Sequence, residues 1–107
     1  MNKKIIKISG GEVTAIEHMS SPDSPTVLAL HGWLDNAASF VPLMDILPNV
    51  NWIAIDLPGH GNSDCLGYVH SMKLFAEAIE AVLQHLKIKE YILVGHSLGG
   101  YISMALA

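Results

Sequence analysis

The stretch Tyr91-Ile92-Leu93-Val94-Gly95-His96-Ser97-Leu98-Gly99-Gly100 decides how this chain is read. A short β-favouring run leads into Gly-x-Ser-x-Gly, and Tyr101-Ile102-Ser103-Met104-Ala105-Leu106-Ala107 then reads as the opening of a helix. The pattern is strand, tight turn, helix, with a serine at the apex, which is what a nucleophile elbow requires. Such a turn strains the backbone at the serine and pushes its hydroxyl past the strand end. Small neighbours are needed because strand and helix nearly touch there. Gly95 and Gly99 are expected to supply that room, and Gly100 to relax the first helical turn.

Taken alone the motif is only moderately specific, since Gly-x-Ser-x-Gly arises by chance at about 3 in 10,000 starting positions. A glycine-rich turn with an incidental serine is the plain alternative. A dinucleotide fingerprint fails on spacing, because no Gly-x-Gly-x-x-Gly follows this strand. The surrounding chain has to decide.

The 107 residues suffice for one small domain, and 50% are hydrophobic against 15% charged, with a mean hydropathy of +0.37. So apolar a balance fits strands buried on both faces. The net charge is −4, arginine is absent, and Lys3, Lys4 and Lys7 account for half of the lysines, so a nucleic-acid-binding face is not expected. The lone Cys65 excludes an internal disulfide and a cysteine-based metal site, and reads as a loop thiol without a role. The basic start, Met1-Asn2-Lys3-Lys4, leads into no apolar stretch long enough for a signal peptide or a membrane span, so a cytoplasmic location is the expectation.

Residues 4–8 and roughly Glu12 to Glu17 read as an antiparallel pair around Ser9-Gly10-Gly11. Thr26-Val27-Leu28-Ala29-Leu30 and Trp52-Ile53-Ala54-Ile55 are continuous apolar runs of the buried parallel kind. Between them Asp35 or Asn36 is expected to cap a helix through about Leu47, with Phe40, Leu43, Met44 and Leu47 on one face. Ser71 caps a longer helix in which Met72, Phe75, Ala76, Ile79, Val82, Leu83 and Leu86 recur at the helical period. Strands alternating with helices predict an α/β fold, a mostly parallel sheet flanked by helices behind an antiparallel entry. Chemistry in such sheets gathers at the carboxyl ends of the strands, where the loops at 31–36, 56–64 and 95–99 fall.

Acyl transfer needs a nucleophile, a base, and donors aimed at the developing oxyanion. Ser97 is the nucleophile candidate. The Leu98 N–H, at a helix N-terminus just after it, is one donor candidate, and the Trp33 N–H, in the loop after Thr26–Leu30, is the other.

With these residues in place, the chain resembles the N-terminal part of the α/β-hydrolase fold. The resemblance lies in the order His31-Gly32, then Asp56-Leu57-Pro58-Gly59-His60-Gly61-Asn62-Ser63-Asp64, then Gly95-His96-Ser97-Leu98-Gly99-Gly100, and runs from about residue 12 onward. The wording from His31 to Phe40 is most similar to the serine hydrolase-like branch. The resemblance implies Ser97 as nucleophile, Trp33 and Leu98 as the oxyanion hole, His31 supporting the oxyanion loop and His96 in the variable place before the nucleophile. Gly32, Gly95 and Gly99 would be supporting residues. Epoxide hydrolases and haloalkane dehalogenases would carry aspartate at position 97, so those reactions are not expected. His60 reads as loop structure, and His18, His70 and His85 as incidental. Asp56 is expected to cap backbone amides, and Trp33 and Trp52 to pack, Trp33 alternatively lining an acyl pocket. No metal pattern and no cofactor are called for.

The same resemblance implies that the triad acid, the histidine base and any lid follow later in the chain order, beyond Ala107. The sheet of the family would then be cut after the strand at 91–94, leaving it as an apolar edge. The expected role is that of the N-terminal portion of a serine hydrolase acting on a small-molecule ester, thioester or similar acyl bond, weak by itself. A non-catalytic relative or truncated product that binds a ligand or partner stays open, as does acyl-transfer, lyase or cofactor-free peroxidase chemistry on the same triad. Oligomeric state is not legible.

Overall fold

A computed structural model describes residues 2–65 and 71–106. Its order is β1 (Asn2–Ile8), β2 (Gly11–His18), β3 (Thr26–Leu30), a 3-10 turn (Ala37–Phe40), α1 (Val41–Ile46), β4 (Asn51–Ile55), α2 (Met72–His85), β5 (Ile92–Gly95) and α3 (Leu98–Leu106). The five strands form one mixed sheet in the order β1-β2-β4-β3-β5. β1 and β2 pair antiparallel, β2 joins β4 antiparallel, and β4-β3-β5 run parallel. The expected α/β architecture is present, with β5 at one edge.

The apolar runs work because alternate residues serve opposite faces. Val27, Ala29, Trp52 and Ala54 pack with Ala37, Phe40 and Met44 on the α1 side. Leu28, Leu30, Ile53 and Ile55 pack with Phe75, Ile79, Val82 and Ile102 on the other side, against α2 and α3. Both faces are dry, so β3 and β4 carry no polar alternation. Trp52 satisfies its one donor by giving Nε1–H to the Leu47 carbonyl at 2.8 Å.

Ser71 Oγ accepts from the Leu74 N–H at 3.1 Å, so α2 starts at the expected cap. It stops in a Schellman arrangement: Lys87 takes φ 59, and Ile88 N–H reaches the Leu83 carbonyl at 2.9 Å. Met72, expected on the buried face, is exposed, and Ala78 is buried instead.

The expected helix from 35 to 47 is two pieces. Asn36 caps a 3-10 turn through Ala38 N–H, and Pro42 then sits in the first turn of α1. Proline has no N–H to continue the earlier turn but is well suited to starting a new one. Leu47 falls outside the helix and is 51% exposed. Residue His70 lies outside the described residues.

Candidate active site

Parallel pairing places Leu30 opposite both Ile55 and Gly95, so β3, β4 and β5 end level. The three loops named above therefore leave from one sheet edge. Ser97 occupies the turn between β5 and α3, exposed, with φ 54. A left-handed backbone at a non-glycine residue is strained, by about 1–2 kcal/mol, and turns the side chain out of the strand-to-helix path. The turn is held by His96 N–H to the Leu30 carbonyl (3.1 Å), Gly99 N–H to the His96 carbonyl (3.0 Å) and Tyr101 N–H to the Ser97 carbonyl (3.2 Å).

The glycines show how close the segments come. A Cβ on Gly95 would overlap the Gly99 carbonyl, and one on Gly99 would overlap the Leu30 carbonyl. Gly100 is not needed sterically, since the nearest atom to a Cβ there would be 3.6 Å away. A Cβ on Gly32 would lie 3.4 Å from Ser97 Cβ and 3.1 Å from His96 Nδ1. The loop after β3 thus lies directly against the serine turn.

That loop is held from inside by His31, which is 1% exposed. Its Nδ1 lies 2.7 Å from the Gly32 carbonyl and its Nε2 accepts the Leu57 N–H at 3.0 Å. A carbonyl only accepts, so Nδ1 carries the proton and the ring is neutral. The Gly32 carbonyl also receives the Asp35 N–H at 3.2 Å, and Leu34 takes φ 62 within this turn. The Gly32–Trp33 peptide is trans, so pinning its carbonyl toward His31 and Asp35 sends the Trp33 N–H the opposite way. Among the described residues, the backbone amides of Trp33 and Leu98 have no hydrogen-bond acceptor. Trp33 itself is 60% exposed rather than packed, its indole meeting the ring of His60.

Burial lowers the His31 pKa from its ordinary value by stripping water from the charged form, against the opposing pull of the Gly32 carbonyl. The unfolded chain therefore binds this proton more readily than the folded one, and stability should fall as pH drops below about 6.5 through the depressed folded value. Thermal melts at pH 7.5 and 5 should show the loss, and His31→Phe should reduce the dependence. An equal Tm at both pH values would contradict this account of His31.

Asp56 ties the second loop to the first. Its carboxylate accepts Ala37 N–H (2.7 Å), Thr14 Oγ1–H (2.6 Å) and Asn62 N–H (3.3 Å), as expected of an amide cap. Ser63 Oγ–H reaches the Asp56 carbonyl at 2.6 Å and Ser63 Oγ accepts the Thr14 N–H at 2.8 Å. Gly61 (φ 52) lies so close to the carboxylate that a Cβ would overlap it. The Thr14 and Ser63 contributions were not legible, because 49 residues separate them. Asp56→Ala should cost about 2–3 kcal/mol by stranding buried donors, read as a lower urea midpoint with an unchanged m-value. A loss below about 0.5 kcal/mol, the size of an ordinary surface change, would refute the clasp.

No side-chain hydrogen bond joins Ser97 Oγ to a histidine among the described residues. Neither of two surface grooves, one along β1–β2 and one beside α1, is lined by Ser97, Trp33 or Leu98. No described helix is long and apolar enough to cross a membrane.

The profile of the alpha/beta hydrolase fold matches residues 25–107. The chain is 36% identical over 93 residues to the uncharacterized hydrolase YugF of Bacillus subtilis, covering 85% of this chain and 34% of that protein. It is 38% identical over 91 residues to a human serine hydrolase-like protein, covering 82% of this chain and 45% of the relative. The crystal structure of a hypothetical protein from Pseudomonas aeruginosa PAO1 superposes with a TM-score of 0.90 at 33% identity, over 99% of this chain and 38% of that one. The chain thus spans less than half the length of the relatives it matches. With the strand order, the serine turn and the sequence match in agreement, the chain belongs to the alpha/beta hydrolase fold family.

Proposed function

We propose that residues 1–107 carry the nucleophile half of a serine hydrolase acting on an ester, thioester or similar acyl bond. The observation that carries this reading is Ser97 at φ 54, exposed on the turn between β5 and α3 with Gly32 packed against it. Ser97 Oγ attacks the acyl carbonyl, and its proton passes to a histidine supplied from outside residues 1–107. The resulting oxyanion accepts hydrogen bonds from the Trp33 and Leu98 amides, whose unpaired state leaves them free for it. Collapse expels the alcohol or thiol with that proton and leaves the acyl group on Ser97, which water then removes. His31 is not the base, because both of its nitrogens are committed to the backbone.

The acid, the base and the walls of an acyl pocket all lie outside this chain in this reading. Residues 1–107 alone should turn over p-nitrophenyl acetate at least about a thousandfold slower than an intact serine hydrolase relative. What turnover remains should disappear in Ser97→Ala. A rate matching the intact relative would show that no outside base is needed. An equal rate in Ser97→Ala would remove Ser97 from the chemistry.

A further inference from the structure

His60 is 7% exposed, although it sits in a loop between two left-handed glycines, Gly59 (φ 77) and Gly61 (φ 52). Its backbone is fixed on both sides, by His60 N–H to the Leu57 carbonyl (2.8 Å) and Ser63 N–H to the His60 carbonyl (3.0 Å). Nδ1 lies 3.1 Å from the Pro58 carbonyl and so carries the proton. Nε2 is buried with no hydrogen-bond partner among the described residues. Half of the polar capacity of this side chain is unused at a buried place, which is unfavourable.

The ring, by contrast, meets three other rings. The His31 ring lies 5.1 Å away, tilted by 50°; the Trp33 indole is 5.1 Å away, edge-on at 73°; and Phe75 of α2 is 6.3 Å away behind. His31 and Trp33 are the two residues that flank Gly32, and His60 is the wall on which both rings rest. Phe75 in turn belongs to the core of α2 and is 2% exposed. Packing therefore runs from a buried helix through one imidazole to the peptide that bears the Trp33 amide.

We propose that His60 is a positioning residue which, through its ring contacts with His31 and Trp33, holds the Trp33 amide in place beside Ser97; its bearing on chemistry rests on the reading of that amide as an oxyanion donor. The ring rather than its nitrogens carries this role, so phenylalanine should substitute where alanine should not.

The test is backbone 15N relaxation on the chain and two variants. In the wild type the Gly32 and Trp33 amides should be as ordered as rigid backbone, with order parameters near 0.85. In His60→Ala the Trp33 value should fall below about 0.6 while Leu98 is unchanged, and His60→Phe should restore it. An ordered Trp33 amide in His60→Ala, or a His60→Phe variant as loose as His60→Ala, would overturn the proposal. Should His60→Ala fail to fold, the wild type and His60→Phe still decide. Nuclear Overhauser contacts between the Trp33 indole and the ring at position 60 are expected in both, and their absence in either overturns it.

Fluorophosphonate labelling of Ser97 on the same proteins tests the underlying reading separately. A fall of about tenfold in His60→Ala is expected, short of the 10²–10³ seen when an oxyanion donor is removed outright. An unchanged rate with a loosened Trp33 amide would reject Trp33 as a donor and leave its positioning by His60 intact. No labelling of the wild type would reject the reading of Ser97, and relaxation would still decide the role of His60.

Discussion

Gly99→Ala should destabilise the fold severely. The added methyl group would overlap the Leu30 carbonyl and come within 2.7 Å of the His31 carbonyl oxygen. Neither neighbour is a flexible side chain that can swing aside. Leu30 ends β3, is paired with both Ile55 and Gly95, and its carbonyl receives the His96 N–H. Relief requires moving the end of β3 or lifting α3 away from the sheet, and either breaks the serine turn. Overpacking a well-packed interior costs about 1–3 kcal/mol and occasionally more. A backbone clash belongs at the top of that range, so a loss of at least about 3 kcal/mol is expected from a total of about 5–15 kcal/mol for a domain.

Gly100→Ala is the matched control. It lies in the same helix, its added Cβ would meet only ordinary contacts at 3.6 Å, and alanine is favoured over glycine in a helix by up to about 1 kcal/mol. Urea titrations should therefore separate two neighbouring glycines by several kcal/mol in opposite directions. Similar midpoints for the two variants would show that β5, α3 and β3 do not meet as described.

The fold was legible where burial on both faces left a simple mark. Val27–Leu30 and Trp52–Ile55 are apolar throughout because both sheet faces are covered. The serine turn was legible because its close approaches admit only glycine, and Gly95 and Gly99 stand at the two contacts. What stayed hidden depends on long-range packing. Asn51, just before the Trp52–Ile55 run, is 3% exposed and anchors the loop before β3. It does so by accepting Ser20 N–H and Ser21 N–H and donating to the Ser21 and Ser24 carbonyls. Trp33, expected to pack, is mostly outside, while His60, read as loop structure, holds its place in the loop with its ring buried. A pattern of hydropathy cannot foresee that, because His60 is drawn inward by the turn of its flanking glycines rather than by its own polarity.

Ser97 stands exposed at the sheet edge on a left-handed turn. A strained, exposed serine, with the Trp33 and Leu98 amides as its proposed oxyanion donors, should react with a phosphonyl group in preference to ordinary serines such as Ser39, Ser63 and Ser103, whose hydroxyls are already donating to Asp35 Oδ1, the Asp56 carbonyl and the Gly99 carbonyl. The loss on substitution should be complete. The measurement is prolonged incubation with a fluorophosphonate followed by peptide mapping by mass spectrometry. The predicted result is a single slow adduct on Ser97 that Ser97→Ala abolishes; an adduct spread over other serines, or undiminished labelling of Ser97→Ala, would contradict it.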